Sequence, residues 1–165
     1  MFKKLFSFTE TILLLSVTGL ISCQTPESPV PFGINNDSVQ MGTEQSGKFV
    51  LNNNKIFTAK DKIIIKFKAV GLTIKQGKIK TNVDIFLKKD KDVLGTQTDI
   101  LGTDGLSQTV SGVGADYSGN NGKTDVELSI IPPSDTNGDI ISNITLKDLN
   151  APGKLATFET KFTLK

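Results

Sequence analysis

The side chains that most often perform catalysis are scarce in this chain of 165 residues. It has no histidine, no arginine and no tryptophan, one cysteine, Cys23, and one tyrosine, Tyr117. Without an imidazole there is no Ser-His-Asp triad and no histidine general base, and a zinc site would need histidine or cysteine ligands. A pair of carboxylates could hydrolyse a glycoside, although the tryptophan on which sugars often stack is missing. We therefore expect a non-catalytic protein with no metal and no cofactor.

A glycine-rich segment runs from Gly102 to Gly122 and continues into Lys123 and Thr124, which resembles the end of a phosphate-binding P-loop. The first glycine of that motif would fall on Tyr117, and the strand–loop–helix unit that the motif requires is not predicted. The segment instead predicts a long mobile loop, with a binding loop as the alternative.

Oxygen ligands alternate along Asp135–Asp139, as they do in calcium-binding loops. The EF-hand positions for glycine and glutamate are occupied here by Ile140 and Leu146. A turn between strands is therefore the preferred interpretation, with a calcium loop as the alternative.

Charge is nearly balanced, because 19 lysines face 17 acidic residues. The mixed run Lys88–Asp92 predicts a solvated hairpin tip. Since nucleic-acid binding requires a clustered basic face, we expect no nucleic-acid partner.

The first 22 residues have the three parts of a secretory signal peptide. Lys3 and Lys4 form a positive region, and Ile12–Ile21 is an apolar stretch, too short for the roughly 20 residues of a bilayer-spanning helix. The stretch ends in Leu20-Ile21-Ser22-Cys23, which resembles the lipobox of bacterial lipoproteins. An ordinary signal peptide cut elsewhere, with Cys23 incidental, is the alternative.

This resemblance implies a diacylglycerol linked to Cys23 through a thioether and cleavage between Ser22 and Cys23. At about 0.8 kcal/mol per buried methylene, two or three acyl chains would hold the protein permanently to a membrane. Gln24 follows the cysteine, where aspartate would suggest inner-membrane retention in many Gram-negative cells. The expected location is the bacterial cell envelope, with the outer membrane favoured.

Residues 23–38 are predicted to form a flexible, proline-rich tether. Pro26, Pro29 and Pro31 favour extended conformations and exclude a helix, and Asn35–Asp37 has the composition of a turn. At roughly 3 Å per residue the tether would reach about 30–45 Å. It would act as a stalk that holds the domain off the membrane, or simply as a leader to the first strand.

Apolar and polar side chains alternate with a period of two through residues 39–165, which predicts antiparallel strands buried on one face. Turn residues separate the segments. The pattern predicts an all-β, antiparallel two-sheet sandwich of about seven or eight strands, including a short hairpin of Lys48–Leu51 with Lys55–Thr58. The expected core includes Phe67, Val83, Leu128, Ile144 and Phe162.

The segment near the end of the chain resembles the closing strands of the immunoglobulin-like sandwiches found in bacterial envelope proteins. A proline, a turn glycine, a strand closed by aspartate, a glycine hairpin and a final strand with phenylalanine follow in order: Pro133, Gly138, Asp148, Gly153 and Phe162. The Cys, Trp and Cys of antibody domains are absent, so the resemblance implies an immunoglobulin-like architecture and no particular activity.

Two functions agree with these features. The first is a membrane-anchored, non-catalytic binding or adhesion module that contacts a host or envelope macromolecule, and the second is a structural or accessory subunit of an envelope assembly. One candidate ligand-binding residue is Lys165, whose ammonium together with a terminal carboxylate would suit lysine-binding pockets such as plasminogen kringles. The alternative is that the lysine at this position has no role.

Overall fold

The computed structural model describes residues 30–165, which form ten strands joined by turns and irregular segments, with no helix in that part of the chain. The predicted signal peptide (residues 1–22), Cys23 and the tether as far as residue 29 lie outside the described residues. The strands are β1 (Gly33–Gln45), β2 (Lys48–Leu51), β3 (Ile56–Phe57), β4 (Ile63–Ile74), β5 (Lys78–Lys89), β6 (Asp92–Gln97), β7 (Leu106–Thr109), β8 (Gly119–Ile130), β9 (Gly138–Asp148) and β10 (Leu155–Leu164).

These strands form two sheets. One has four strands in the order β2-β1-β4-β8, and the other has six, in the order β3-β10-β9-β5-β6 with β7 also paired to β5. All pairings are antiparallel except that of β3 with β10. The all-β, two-sheet prediction is therefore confirmed, although the described residues contain ten strands where seven or eight were expected.

Alternating residues of both sheets meet in one core, as the period-two pattern predicts. The five expected core residues are all at most 3% exposed, and most are 0–2% exposed. Phe57 and Phe162 pack edge to face, with ring centroids 6.0 Å apart and planes at 81°. Aromatic pairs favour this arrangement because the positive ring edge meets the negative face. The core residues that were expected from the sequence are Phe67, Val83, Leu128, Ile144 and Phe162.

The first strand begins earlier than predicted, because Gly33–Ser38 belongs to β1 and not to a free tether. Gly33 pairs with Val70 of β4, and the partly buried Phe32 and Ile34 pack against the core. The turn composition that suggested a tether produces a register shift inside the strand, between Asn35 and Gln40. Apolar burial on both sides of this irregularity keeps the chain on the sheet.

The predicted hairpin of Lys48–Leu51 with Lys55–Thr58 is wrong. β2 pairs with β1 in the four-stranded sheet, whereas β3 crosses to the other sheet and pairs with β10 in parallel. The crossing places the Phe57 ring in the core against Phe162. Burying this aromatic side chain offsets the loss of a local pairing.

The glycine-rich segment is not one continuous loop. Leu106–Thr109 forms β7 and pairs with Lys78–Thr81 of β5. β6 pairs only with the opposite half of β5, Ile85–Lys89, so the remaining backbone donors and acceptors of β5 are available to β7. Lys88–Asp92 lies at the β5–β6 turn, as predicted, with Asp90 in the left-handed conformation at φ 51°.

Candidate functional site

The sandwich has two distinct ends. The described chain enters at the end formed by the β4–β5 turn (Lys75–Gly77) and the β9–β10 turn (Leu149–Lys154), which we call the proximal end. The opposite, distal end is formed by the β1–β2 and β5–β6 turns and by the β8–β9 connection, Ile131–Asn137. The two ends differ in their exposed side chains.

At the proximal end, the entering chain is packed firmly onto the domain. The Val30 N–H donates to Asn121 Oδ1 at 3.3 Å, and Lys154 Nζ lies 4.9 Å from the centre of the Phe32 ring. Gly71, at φ 64°, allows the entering chain to pass close to the β4 backbone, because a Cβ at this position would lie 2.5 Å from the Val30 carbonyl oxygen. No larger residue fits this approach without moving the backbone.

A buried carboxylate joins the two sheets at this end. Asp148, whose side chain is 0% exposed, accepts hydrogen bonds from the N–H of Thr73 at 2.8 Å and of Asn150 at 3.1 Å. Lys154 Nζ lies 3.5 Å from the same side chain and donates to the Gly71 carbonyl at 2.8 Å. Every acceptor of this network has a donor, which is the condition for burying a carboxylate without a large cost.

We expect Asp148→Asn to lower the free energy of unfolding by about 1–3 kcal/mol, because the new amide would present a donor to the N–H of Thr73 or Asn150. Urea unfolding followed by circular dichroism measures the change. Asp125→Asn is the matched control, since the Asp125 side chain is 86% exposed and should change stability by less than about 0.5 kcal/mol. Equal effects of the two substitutions would refute the role assigned to the network.

The distal half carries a groove of mixed polarity between the sheets, with apolar and polar atoms in similar proportion. It has a volume of about 190 Å³ and is lined by Ile85 and Leu87 of β5, Leu94–Gln97 of β6, and Ser129–Ile131 and Pro133. Ile131 is 77% exposed at its rim. Both strands that flank it, β6 and β8, have only one strand partner each within the described residues. The groove therefore offers apolar surface and free strand edges together, which is the arrangement used to recruit extended peptides.

A second charged cluster lies on the outer face of the six-stranded sheet. Lys147 Nζ lies 2.6 Å from Asp84 Oδ1 and 3.0 Å from Asp99 Oδ1. The hydrogen bond with Asp84, and after it the one with Asp99, raises the pKa of Lys147 above its usual value despite an opposing desolvation effect. The ammonium bridges both carboxylates, so the three side chains form one ion-pair cluster.

Three segments singled out from the sequence meet at the distal end: the calcium-like segment, the Lys88–Asp92 tip and Lys165. Leu164, which precedes Lys165, pairs with Gly138. Lys165 is exposed at the distal end, where its N–H donates to the Phe57 carbonyl at 2.9 Å. In the calcium-like segment, Asn137 Oδ1 accepts from Lys89 Nζ at 3.3 Å and Asp139 Oδ1 accepts from Thr163 at 2.7 Å. Within residues 30–165 there is no group of three or more His, Cys, Asp or Glu side chains placed to hold a metal.

Sequence reasoning did not find the groove. Its walls come from the β5–β6 hairpin and from the end of β8, which are distant from each other in the chain. One local signal existed: Ile131 follows the inward-facing Ile130 and therefore breaks the apolar–polar alternation. An apolar residue at an outward position indicates a contact surface.

No helix within the described residues is long and apolar enough to cross a membrane. The described chain is an all-β protein built from two packed sheets. No protein-family model matches the sequence, and no curated protein matches it.

Proposed function

We propose that this chain is a bacterial envelope lipoprotein, anchored by lipid on Cys23, whose immunoglobulin-like domain is a non-catalytic binding or adhesion module. The observation that carries the proposal is that the entry point of the chain and the groove lie at opposite ends of the domain. The chain enters at the proximal end, seven residues after Cys23, while the groove lies in the distal half. A lipid anchor on Cys23 would thus leave the groove on the part of the domain farther from the membrane.

The strand order supports the immunoglobulin-like type. β1, β4 and β8 are adjacent in one sheet, and β10, β9, β5 and β6 are adjacent in the other. This is the order of strands A, B and E against G, F, C and C′ in immunoglobulin sandwiches. The parallel contact of the short β3 with β10 lies at the opposite edge of that sheet from β6.

The composition supports binding over catalysis. The chain offers no imidazole, and the close carboxylates Asp84 and Asp99 are bridged by Lys147. The lipobox, together with Gln24 after the cysteine, supports a location in the envelope and favours the outer membrane. A host or envelope macromolecule is the partner class that such a position allows.

Crosslinking in intact cells tests the binding function. We expect a photoreactive residue in place of Ile131 to give a discrete crosslinked product, because this side chain is 77% exposed at the groove. The matched control is the same replacement of Leu155, which is 59% exposed at the proximal end and should give no such product. Absence of product at position 131, or the same product from both positions, would rule out the groove as the binding surface.

The second candidate function is a structural or accessory subunit of an envelope assembly. The two free strand edges beside the groove favour it, because strand addition is a common way to build assemblies. A crosslinked product that purifies as part of one fixed membrane complex would support this function over adhesion.

A further inference from the structure

Three exposed lysines lie together at the proximal end. Lys75 is in the β4–β5 turn, and Lys78 and Lys80 share the outer face of β5, since the intervening Ile79 is buried. We call them the lysine surface. They line a shallow depression whose other walls are uncharged: Gln76, Ser107, Leu149, Asn150 and Pro152.

The positive charge of the lysine surface is not balanced by ion pairs within the described residues. None of its three ammonium groups forms an ion pair with any residue in the described range, 30–165. The nearby carboxylate of Asp148, the last residue of β9, is buried and forms an ion pair with Lys154. Asp104 and Asp116 are exposed, and neither lines the depression.

This surface adjoins the point where the chain enters the domain. Asn150 Nδ2 donates to the carbonyl of Lys78 at 2.9 Å and to that of Thr73 at 2.8 Å. Lys154 of the same turn lies over the Phe32 ring. The β9–β10 turn therefore contacts both the lysine surface and the entering chain, so the two belong to one end of the molecule.

The chain available before Val30 is short. Six residues, 24–29, lie between it and Cys23, and the seven steps from Cys23 to Val30 span no more than about 25 Å when fully extended. A domain held that close repeatedly brings its lysines to within a Debye length, about 10 Å at 0.1 M salt, of the lipid headgroups. Each lysine near an anionic surface strengthens association by about fivefold.

We propose that the lysine surface docks onto the anionic phospholipid headgroups of the membrane to which Cys23 is anchored, and thereby orients the domain with its distal groove away from the bilayer. The proposal goes beyond anchoring, but it rests on the proposed attachment at Cys23 for its geometry. The anchor supplies proximity, and the lysines supply orientation. Docking weakens as salt rises, because the attraction is screened.

The single tyrosine of the chain provides a fluorescent probe of docking. Tyr117 is the single tyrosine and there is no tryptophan, so Tyr117 dominates the intrinsic fluorescence. It is 42% exposed, and its carbonyl accepts the N–H of Gly77 in the β4–β5 turn. Docking would bring this ring close to the headgroups, where a nitroxide-labelled lipid quenches it.

The experiment uses the chain from Cys23 to Lys165, coupled through its single thiol to a maleimide lipid in vesicles. Vesicles contain phosphatidylcholine with or without phosphatidylglycerol, plus a headgroup nitroxide lipid. We expect strong, salt-sensitive quenching of Tyr117 only on the anionic vesicles. Replacing Lys75, Lys78 and Lys80 with glutamine should reduce the ratio of docked to undocked molecules about a hundredfold.

The matched control replaces three exposed distal lysines, Lys48, Lys60 and Lys91, with glutamine and has the same net charge. It should retain the quenching. Equal quenching on neutral vesicles, no loss in the proximal variant, or an equal loss in the distal variant would each overturn the proposal. Because coupling is chemical, the outcome is independent of whether cells acylate Cys23, which is read separately from the mass of the cellular protein.

Discussion

Replacing Cys23 with serine is expected to abolish acylation completely and to leave the protein either uncleaved or soluble. The serine hydroxyl cannot form the thioether that the lipobox resemblance implies. Two acyl chains bind a bilayer far more tightly than any single weak contact of the domain, since each buried methylene contributes about 0.8 kcal/mol. Labelled fatty acid incorporation and membrane fractionation measure the two consequences.

Ser28→Ala is the control for this substitution, because it alters a residue of the predicted tether outside the lipobox. It should leave acylation and fractionation unchanged. If the Cys23→Ser protein still incorporates fatty acid, the assignment of Cys23 as the lipidated residue is wrong.

Truncating Phe162 to alanine should cost about 3–5 kcal/mol of folding free energy, which is a large fraction of the roughly 5–15 kcal/mol by which a typical domain is stable. Phe162 is 3% exposed and packs edge to face on Phe57. The substitution removes a ring that both sheets cover and leaves a cavity that β-strands cannot close. Urea unfolding followed by far-UV circular dichroism gives the loss.

The matched control is Phe86→Ala, which removes the same ring from the outer, partly exposed face of β5. It should cost less than half as much, because less apolar area is buried there. If both truncations reduce stability equally, the account of the core as the space between the sheets fails.

The period of the apolar residues predicted the core, because burial of one face of a strand requires alternating apolar and polar residues in the local sequence. Phe67, Val83 and Leu128 occupy inward positions of β4, β5 and β8 for that reason. The alternation does not show which strands pair with each other. Ile56 and Phe57 follow β2 closely in the chain, yet they pair with Leu164 and its neighbour Thr163 in the other sheet.

The first strand shows a second limit of local patterns. Asn35–Asp37 has turn composition, yet it lies within β1, where the Asp37 N–H donates to Asn35 Oδ1 at 3.1 Å. A bulge satisfies these polar groups without ending the strand. The packing of Phe32 and Ile34 against the core and the pairing of Gly33 with Val70, both long-range interactions, keep the segment on the sheet.

The candidate sites divide in the same way. The proposed lipidation of Cys23 rests on four adjacent residues, because the lipobox that they resemble is a local sequence motif. The distal groove and the Asp148 network each join segments separated by tens of residues, such as Leu94 with Ile131 and Thr73 with Asp148. Chain folding creates both, so a local pattern can indicate single members such as Ile131 but not the complete site.

The mass of the protein isolated from cell membranes tests the proposed anchoring most directly. We expect a mature chain that begins at Cys23 and carries a diacylglycerol on its sulfur, with or without a further acyl group on the new amino terminus. A mature chain with an unmodified thiol at Cys23, or one cut at another position, would contradict it.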